Sequence, residues 1–330
     1  MTELDVRTAP PAEELDESSE QLKAGDRWNK LLDRLNDLSI TKHFDAYVDV
    51  PWDDPAYALD PTDPRWELDP EMDPLGATRW YQDLPQADRA RLGCELVASK
   101  MKIGLVFENI LKRGLLEFAM TLPNGSPEFR YAYHEVIEEA QHSLMFQEFV
   151  NRTGYDAPGL RKLDMATTRR IVALGRRFPQ LFFLFVLGGE DPIDYVQRRE
   201  LRSDREKHPL LERIMRIHVT EEARHLSFAR HYLKRTVPTL SLWQRTRLAV
   251  GAPVILGSMA QLMLKPSKDL VERYRIPAEV IAEAYSDNPD YHRETLASLG
   301  KVRKLCVELG LVRWPFTLIW RRLGLDPKTA

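Results

Sequence analysis

The chain has 330 residues, 43% of them hydrophobic, enough to bury roughly three quarters of the unfolded surface in one large folded body. Lys and Arg number 47 against 50 Asp and Glu, a net charge of −3, so the electrostatic excess that would draw the whole molecule to nucleic acid is missing. Cys94 and Cys306 are the only cysteines, which excludes a disulfide framework and any metal site that needs four thiolates; a bound metal has to be held by carboxylates and imidazoles.

The first twenty residues carry seven acids against Arg7 alone. That composition predicts a loosely held acidic tail over residues 1–25, without a secretory or transit signal, and the expected location is cytoplasmic. Five Asp-Pro pairs follow, from Asp54-Pro55 to Asp73-Pro74. Proline removes an amide donor and biases the preceding residue away from helix, so the segment is expected to be an extended loop, pinned to the body by Trp52, Tyr57 and Trp66.

From about Leu84 the apolar residues recur at three and four, and no alternating pattern interrupts them. Helices are predicted from about Gln86 to Leu122, to about Thr153 after the Pro123–Pro127 turn, over about 163–186, 190–201 and 210–235, and several times after Leu242. The stretch from Leu248 to Leu264 is apolar but only seventeen residues long, and it contains Gly251, Pro253 and Gly257. It is expected to be a buried or dimer-facing helix and not a membrane span.

Ionisable residues inside apolar helices are expensive unless paired or bound to a cation. Glu108 lies among Phe107, Ile110 and Leu111, and Glu190 follows Leu181–Leu187 directly after Gly188-Gly189. Pro192 removes the helical donor to the Gly188 carbonyl, so a kink or bulge is expected beside Glu190. The stronger signal is a repeat: Glu138-Glu139-Ala140-Gln141-His142 and Glu221-Glu222-Ala223-Arg224-His225 agree at four of five positions. On a helix, Glu-x-x-His places a carboxylate and an imidazole on one face, within reach of one metal ion. His218 extends the second copy to His-x-x-x-Glu-x-x-His. Its counterpart in the first copy is Glu135, expected to support the site from behind or to face solvent.

Two Glu-x-x-His helices and two isolated Glu helices are the layout of ferritin-like di-iron and di-manganese bundles. The expected fold is therefore all-α, a ferritin-like four-helix bundle over 84–236 with additional helices before it (26–83, including the Asp-Pro loop) and after it (237–330), forming one structural domain. Counting residues from the inter-helix turns puts Glu108 level with Glu139, and Glu190 level with His218 and Glu222. Four carboxylates neutralise two divalent ions while three imidazoles add donors without charge, a set suited to iron or manganese; zinc could be held but would not need seven ligands.

At these positions the chain resembles the p-aminobenzoate N-oxygenase family of non-haem di-iron oxygenases. The resemblance rests on Phe107-Glu108-Asn109, Glu139-x-x-His142, Glu190 and above all His218-x-x-x-Glu222-x-x-His225. It implies seven metal ligands: Glu108, Glu139, His142, Glu190, His218, Glu222 and His225. It also implies two iron ions that activate O2 through a peroxo-diferric intermediate and oxidise an aromatic amine towards a hydroxylamine or nitro product, fed by an external electron donor. A homodimer is expected from the apolar 248–264 and Trp314-Pro315-Phe316 surfaces. Competing readings are a di-iron hydroxylase or acyl desaturase acting on carbon, and a ferritin-like ferroxidase. A radical-generating reductase subunit is disfavoured by Phe146, which stands where that family commonly has tyrosine.

Overall fold

The computed structural model describes residues 24–159 and 162–325; residues 1–23 of the expected acidic tail lie outside them. The structure is 75% helical, with no strand among the described residues. Helix α1 (Ala24–Thr41) leads through the Asp-Pro segment and a one-turn helix α2 (Arg79–Gln82) into α3 (Gln86–Ala119). Then come α4 (Pro127–Thr153), α5 (Lys162–Arg177), α6 (Pro179–Arg202), α7 (Pro209–Thr236) and α8 (Leu242–Met263). Five short helices follow, α9 (Lys268–Arg273), α10 (Ala278–Ile281), α11 (Pro289–Ser298), α12 (Gly300–Glu308) and α13 (Thr317–Arg322).

Long apolar runs make the bundle. The α3 and α4 helices pack as a hairpin, and α6 and α7 as a second. Between them lies a core with Phe107, Leu111, Phe118, Phe182, Phe183 and Phe228 buried. At α4 the start is set by Pro127 in the first turn, and the end by Gly154 in the left-handed region at φ 69°, a conformation glycine adopts without steric penalty.

Two expectations about α6 need correction. The break placed at residues 187–189 falls instead at Phe178, whose extended ψ of 71° precedes Pro179, as the residue before a proline requires. Gly188 and Gly189 sit inside α6, which runs through Pro192 as uninterrupted α-helix without the expected bulge. Their role is close approach: a Cβ on Gly189 would lie 2.2 Å from the Phe107 ring, and one on Gly188 3.0 Å from Ile255.

The Asp-Pro segment, expected to be extended, is a chain of short turns. Asp54, Asp63 and Asp73 each accept a hydrogen bond from the backbone NH two residues on, with proline opening a 3-10 turn. Aspartate offers the cap and proline fixes φ, so the pair nucleates a turn where proline alone would only forbid helix. Trp52 and Trp66 are buried. The Trp66 ring stacks on His208 at 4.4 Å, and its NH donates to the Asp60 carbonyl at 2.9 Å.

Helix α8 is long and apolar enough to cross a membrane by composition. It packs on α6, with Leu248, Ala249, Ala252, Leu256 and Ala260 buried and Val250 and Val254 exposed. Trp314 is exposed as well, and so are Phe129, Tyr133, Ile137 and Leu144 along the outer side of α4.

Candidate metal centre

The four long helices each send acid or imidazole groups to one depth of the core. Helix α3 supplies Glu108, α4 supplies Glu139 and His142, α6 supplies Glu190, and α7 supplies His218, Glu222 and His225. All seven are at most 3% exposed. His142 Nδ1 lies 3.2 Å from a Glu139 oxygen, 3.6 Å from Glu222 and 3.9 Å from Glu108. His225 Nδ1 lies 3.0 Å from both Glu139 and Glu222. His218 Nε2 lies 3.8 Å from Glu108 and 3.9 Å from Glu222. Donor atoms of Glu108, His142 and His218 fall within 4.8 Å of one another, as do those of Glu139, His142 and Glu222, and those of Glu190, His218 and Glu222. The seven residues singled out in the sequence are thus brought together.

Residues that sequence reasoning passed over hold the imidazoles in place. His142 Nε2 lies 2.8 Å from Glu221, and His225 Nε2 lies 2.7 Å from Glu138. Each Glu-x-x-His histidine is therefore gripped by the acid that opens the other copy of the repeat. A carboxylate accepts only, so Nε2 donates its proton outward and Nδ1 is the nitrogen turned to the centre. His218 is turned round, with Nδ1 2.9 Å from Gln197 Oε1 and Nε2 facing Glu108. Arg224 lies 2.8 Å from Glu138 and 3.6 Å from Glu221, and the Phe44 NH donates to Glu221 at 3.2 Å. The signal was present in the sequence: the first acid of the repeat is identical in both copies, which ligand spacing alone does not require.

Other acids nearby are accounted for differently. Asp191 pairs with Arg230, and Asp194 pairs with Arg198 at 2.7 Å. Glu135 is 1% exposed, which removes the solvent-facing alternative; it groups with Glu139 and His225, and burial pushes its carboxyl up to about 8.

So many buried acids distort each other's protonation. Burial, reinforced by the charges of Glu222 and Glu139, drives the Glu190 carboxyl well above its ordinary range. For His142 burial works downward, but hydrogen bonds and charge from Glu139 and Glu221 outweigh it and lift the ring to about 10. Burial and the neighbouring His142 lower His218 to about 4. In the protein alone, protons must supply the positive charge that the cluster lacks.

A cation pair would supply it better. Glu108 Oε2 and Glu222 Oε2 are buried without any hydrogen-bond partner, a costly state for a carboxylate oxygen that metal coordination resolves. The donor set of four carboxylates, three imidazoles and no thiolate fits two divalent iron or manganese ions without residual charge. A cavity of about 220 Å³ abuts the cluster, walled by Glu108, Glu190 and His218 on one side and by Met101, Phe107 and Phe146 among its apolar residues.

The bundle and its mixed carboxylate–imidazole cluster define a ferritin-like protein of the di-iron type. Within that class the family is shown by comparison: the model of the family described as p-aminobenzoate N-oxygenase matches residues 26–310, and the chain belongs to that family. An oxygenase of di-iron type is what the family supports. Uncharacterised proteins of Mycobacterium tuberculosis (strain CDC 1551 / Oshkosh) and Mycobacterium bovis are each 38% identical to it over 301 residues, covering 91% of this chain and 88% of theirs. No solved structure matches the chain.

Proposed function

We propose that the protein is an O2-dependent monooxygenase that holds two iron ions on Glu108, Glu139, His142, Glu190, His218, Glu222 and His225 and oxidises the nitrogen of an aromatic amine. The observation that carries this reading is the meeting of Glu108, His142 and His218 donor atoms within 4.8 Å, beside a cavity large enough for an aromatic ring. Bound there, iron supplies the electrons and the Lewis acidity for O2 reduction. The balance is one amine, one O2, two electrons and two protons giving one hydroxylamine and one water, with the electrons drawn from an external donor.

The chain's own residues set the conditions. Glu138 and Glu221 fix the Nε2 protons of His225 and His142 and point their other nitrogens inward, and Gln197 does the same for His218 through its other nitrogen. Phe107, Met101, Ile103 and Phe146 line the cavity and exclude water from the reacting nitrogen. A homodimer is part of the same reading, supported by the exposed apolar residues on α4 and α8 and at Trp314. The test supplies iron-loaded protein with a reductant, an arylamine and isotopically labelled O2. One labelled oxygen in the hydroxylamine is expected; oxygen consumption with unaltered amine, or insertion into carbon, would overturn the assignment.

A further inference from the structure

A second cleft lies beyond Phe107. It measures about 240 Å³ and is bounded by α3, α5, α6 and α8. Among the described residues its lining contains no charged side chain, Thr168 and Ser258 being the only polar ones. Three residues wall both spaces: Ile103, Phe107 and Met263. The Phe107 ring is held at its station, stacked on Phe185 at 5.0 Å and seated on the bare backbone of Gly189. Ile103 and Met263 are aliphatic, and an unbranched methionine adapts readily to a passing ligand.

The two ends of this system differ in character. Away from the metal cluster, the first cavity meets Arg65, Asp73, Lys100 and Glu200. Arg65 is paired with Asp63 at 2.6 Å and Lys100 with Asp73 at 3.5 Å, so an apolar group placed there would strip water from charges without replacing it. Beyond Phe107 the described lining offers the same group hydrocarbon, aromatic carbon, thioether and hydroxyl. The space exceeds the roughly 150 Å³ that suffices for an apolar protein cavity to take up benzene.

We propose that this cleft receives the apolar tail of the substrate, and that the substrate class is an arylamine carrying an alkyl chain or second ring on the side away from its nitrogen. The proposal rests on the reading that the nitrogen reacts beside Glu108, Glu190 and His218; the cleft adds the substrate's other end.

The test is a calorimetric titration of the full-length protein, metal-free and iron-loaded, with aniline and its para-alkyl homologues up to para-hexylaniline. Each buried methylene is expected to tighten binding about fourfold until the cleft is full. Met259→Trp and Ile171→Trp fill the cleft from opposite walls. With folding checked by circular dichroism, both should abolish the chain-length dependence and leave aniline binding within about twofold of the parent, since neither residue lines the first cavity. Affinity that ignores chain length in the parent protein, or a dependence that survives both substitutions, would overturn the proposal. Should the dependence appear and the variants remove it while iron-loaded protein leaves arylamines unoxidised, the cleft stands and the N-oxygenase reading falls.

Discussion

Replacing Glu221 by glutamine removes one negative charge from the back of His142 while keeping an oxygen that can accept the Nε2 proton. The bond is buried and 2.8 Å long, and charge-assisted hydrogen bonds of this kind are each worth about 1.5–3 kcal/mol. Substituting the outer partner of a metal-bound histidine weakens metal binding by about 10–100-fold, which at about 1.4 kcal/mol per tenfold is the same range. Glu221→Gln should therefore lose about tenfold in iron affinity, and Glu221→Ala about a hundredfold, because alanine also orphans the Phe44 NH that donates to this carboxylate. Glu138→Gln should match Glu221→Gln, since its bond to His225 is 2.7 Å and the two copies play the same part. Competition between protein and a chromophoric chelator for ferrous iron measures the effect. Glu212→Gln on the same helix, whose pairing with Arg216 is only partly buried and lies outside the cluster, serves as the control and should change nothing. If Glu221→Gln binds iron within twofold of the parent, the carboxylate does not act through His142 and the reasoning fails.

Other outcomes follow from the same geometry. A Cβ at Gly93 would lie 1.8 Å from the Trp66 carbonyl oxygen, a backbone atom that a rotamer change cannot move; Gly93→Ala should cost about 3 kcal/mol in a denaturant melt and expose Trp66 to a fluorescence quencher. In metal-free protein His142 keeps its proton to about pH 10 against an ordinary 6.5, and His225 is raised as well. The folded state then binds more protons than the unfolded chain above pH 6.5, so this stabilisation is complete below that value and is lost as pH climbs towards 10. The melting temperature of metal-free protein should fall between pH 7 and 9. Iron affinity should rise over the same range because metal displaces those protons; a melting temperature that climbs with pH would contradict the assigned charge states.

Much of this was legible in the residues. Period-3.6 apolar runs mark the long helices because each must bury a stripe, and Glu-x-x-His declares its shared face by spacing alone. Glu108 and Glu190 stood out because each is an ionisable residue set in an apolar helical run. The partners of the histidines were not legible in the same way. Glu138 and Glu221 reach across from a different helix, and only the three-dimensional pairing shows which nitrogen each acid holds. The glycine pair before Glu190 resembled a helix end, yet its purpose is the Phe107 ring 2.2 Å from where a Cβ would be, a contact between elements some eighty residues apart. The Asp-Pro segment was misread because proline's veto on helix was weighed without the capping power of the aspartate before it. Neither cavity has a sequence signature, since each is the space left by side chains from several helices.

The central claim is that these seven side chains hold two metal ions. Titrating metal-free protein with ferrous iron under anaerobic conditions, followed by elemental analysis after desalting, tests it most directly. Two irons per chain are expected for the parent, falling below one in Glu222→Ala, whose carboxylate lies among all three histidines. No retained iron, or an equal amount in that variant, would contradict the account.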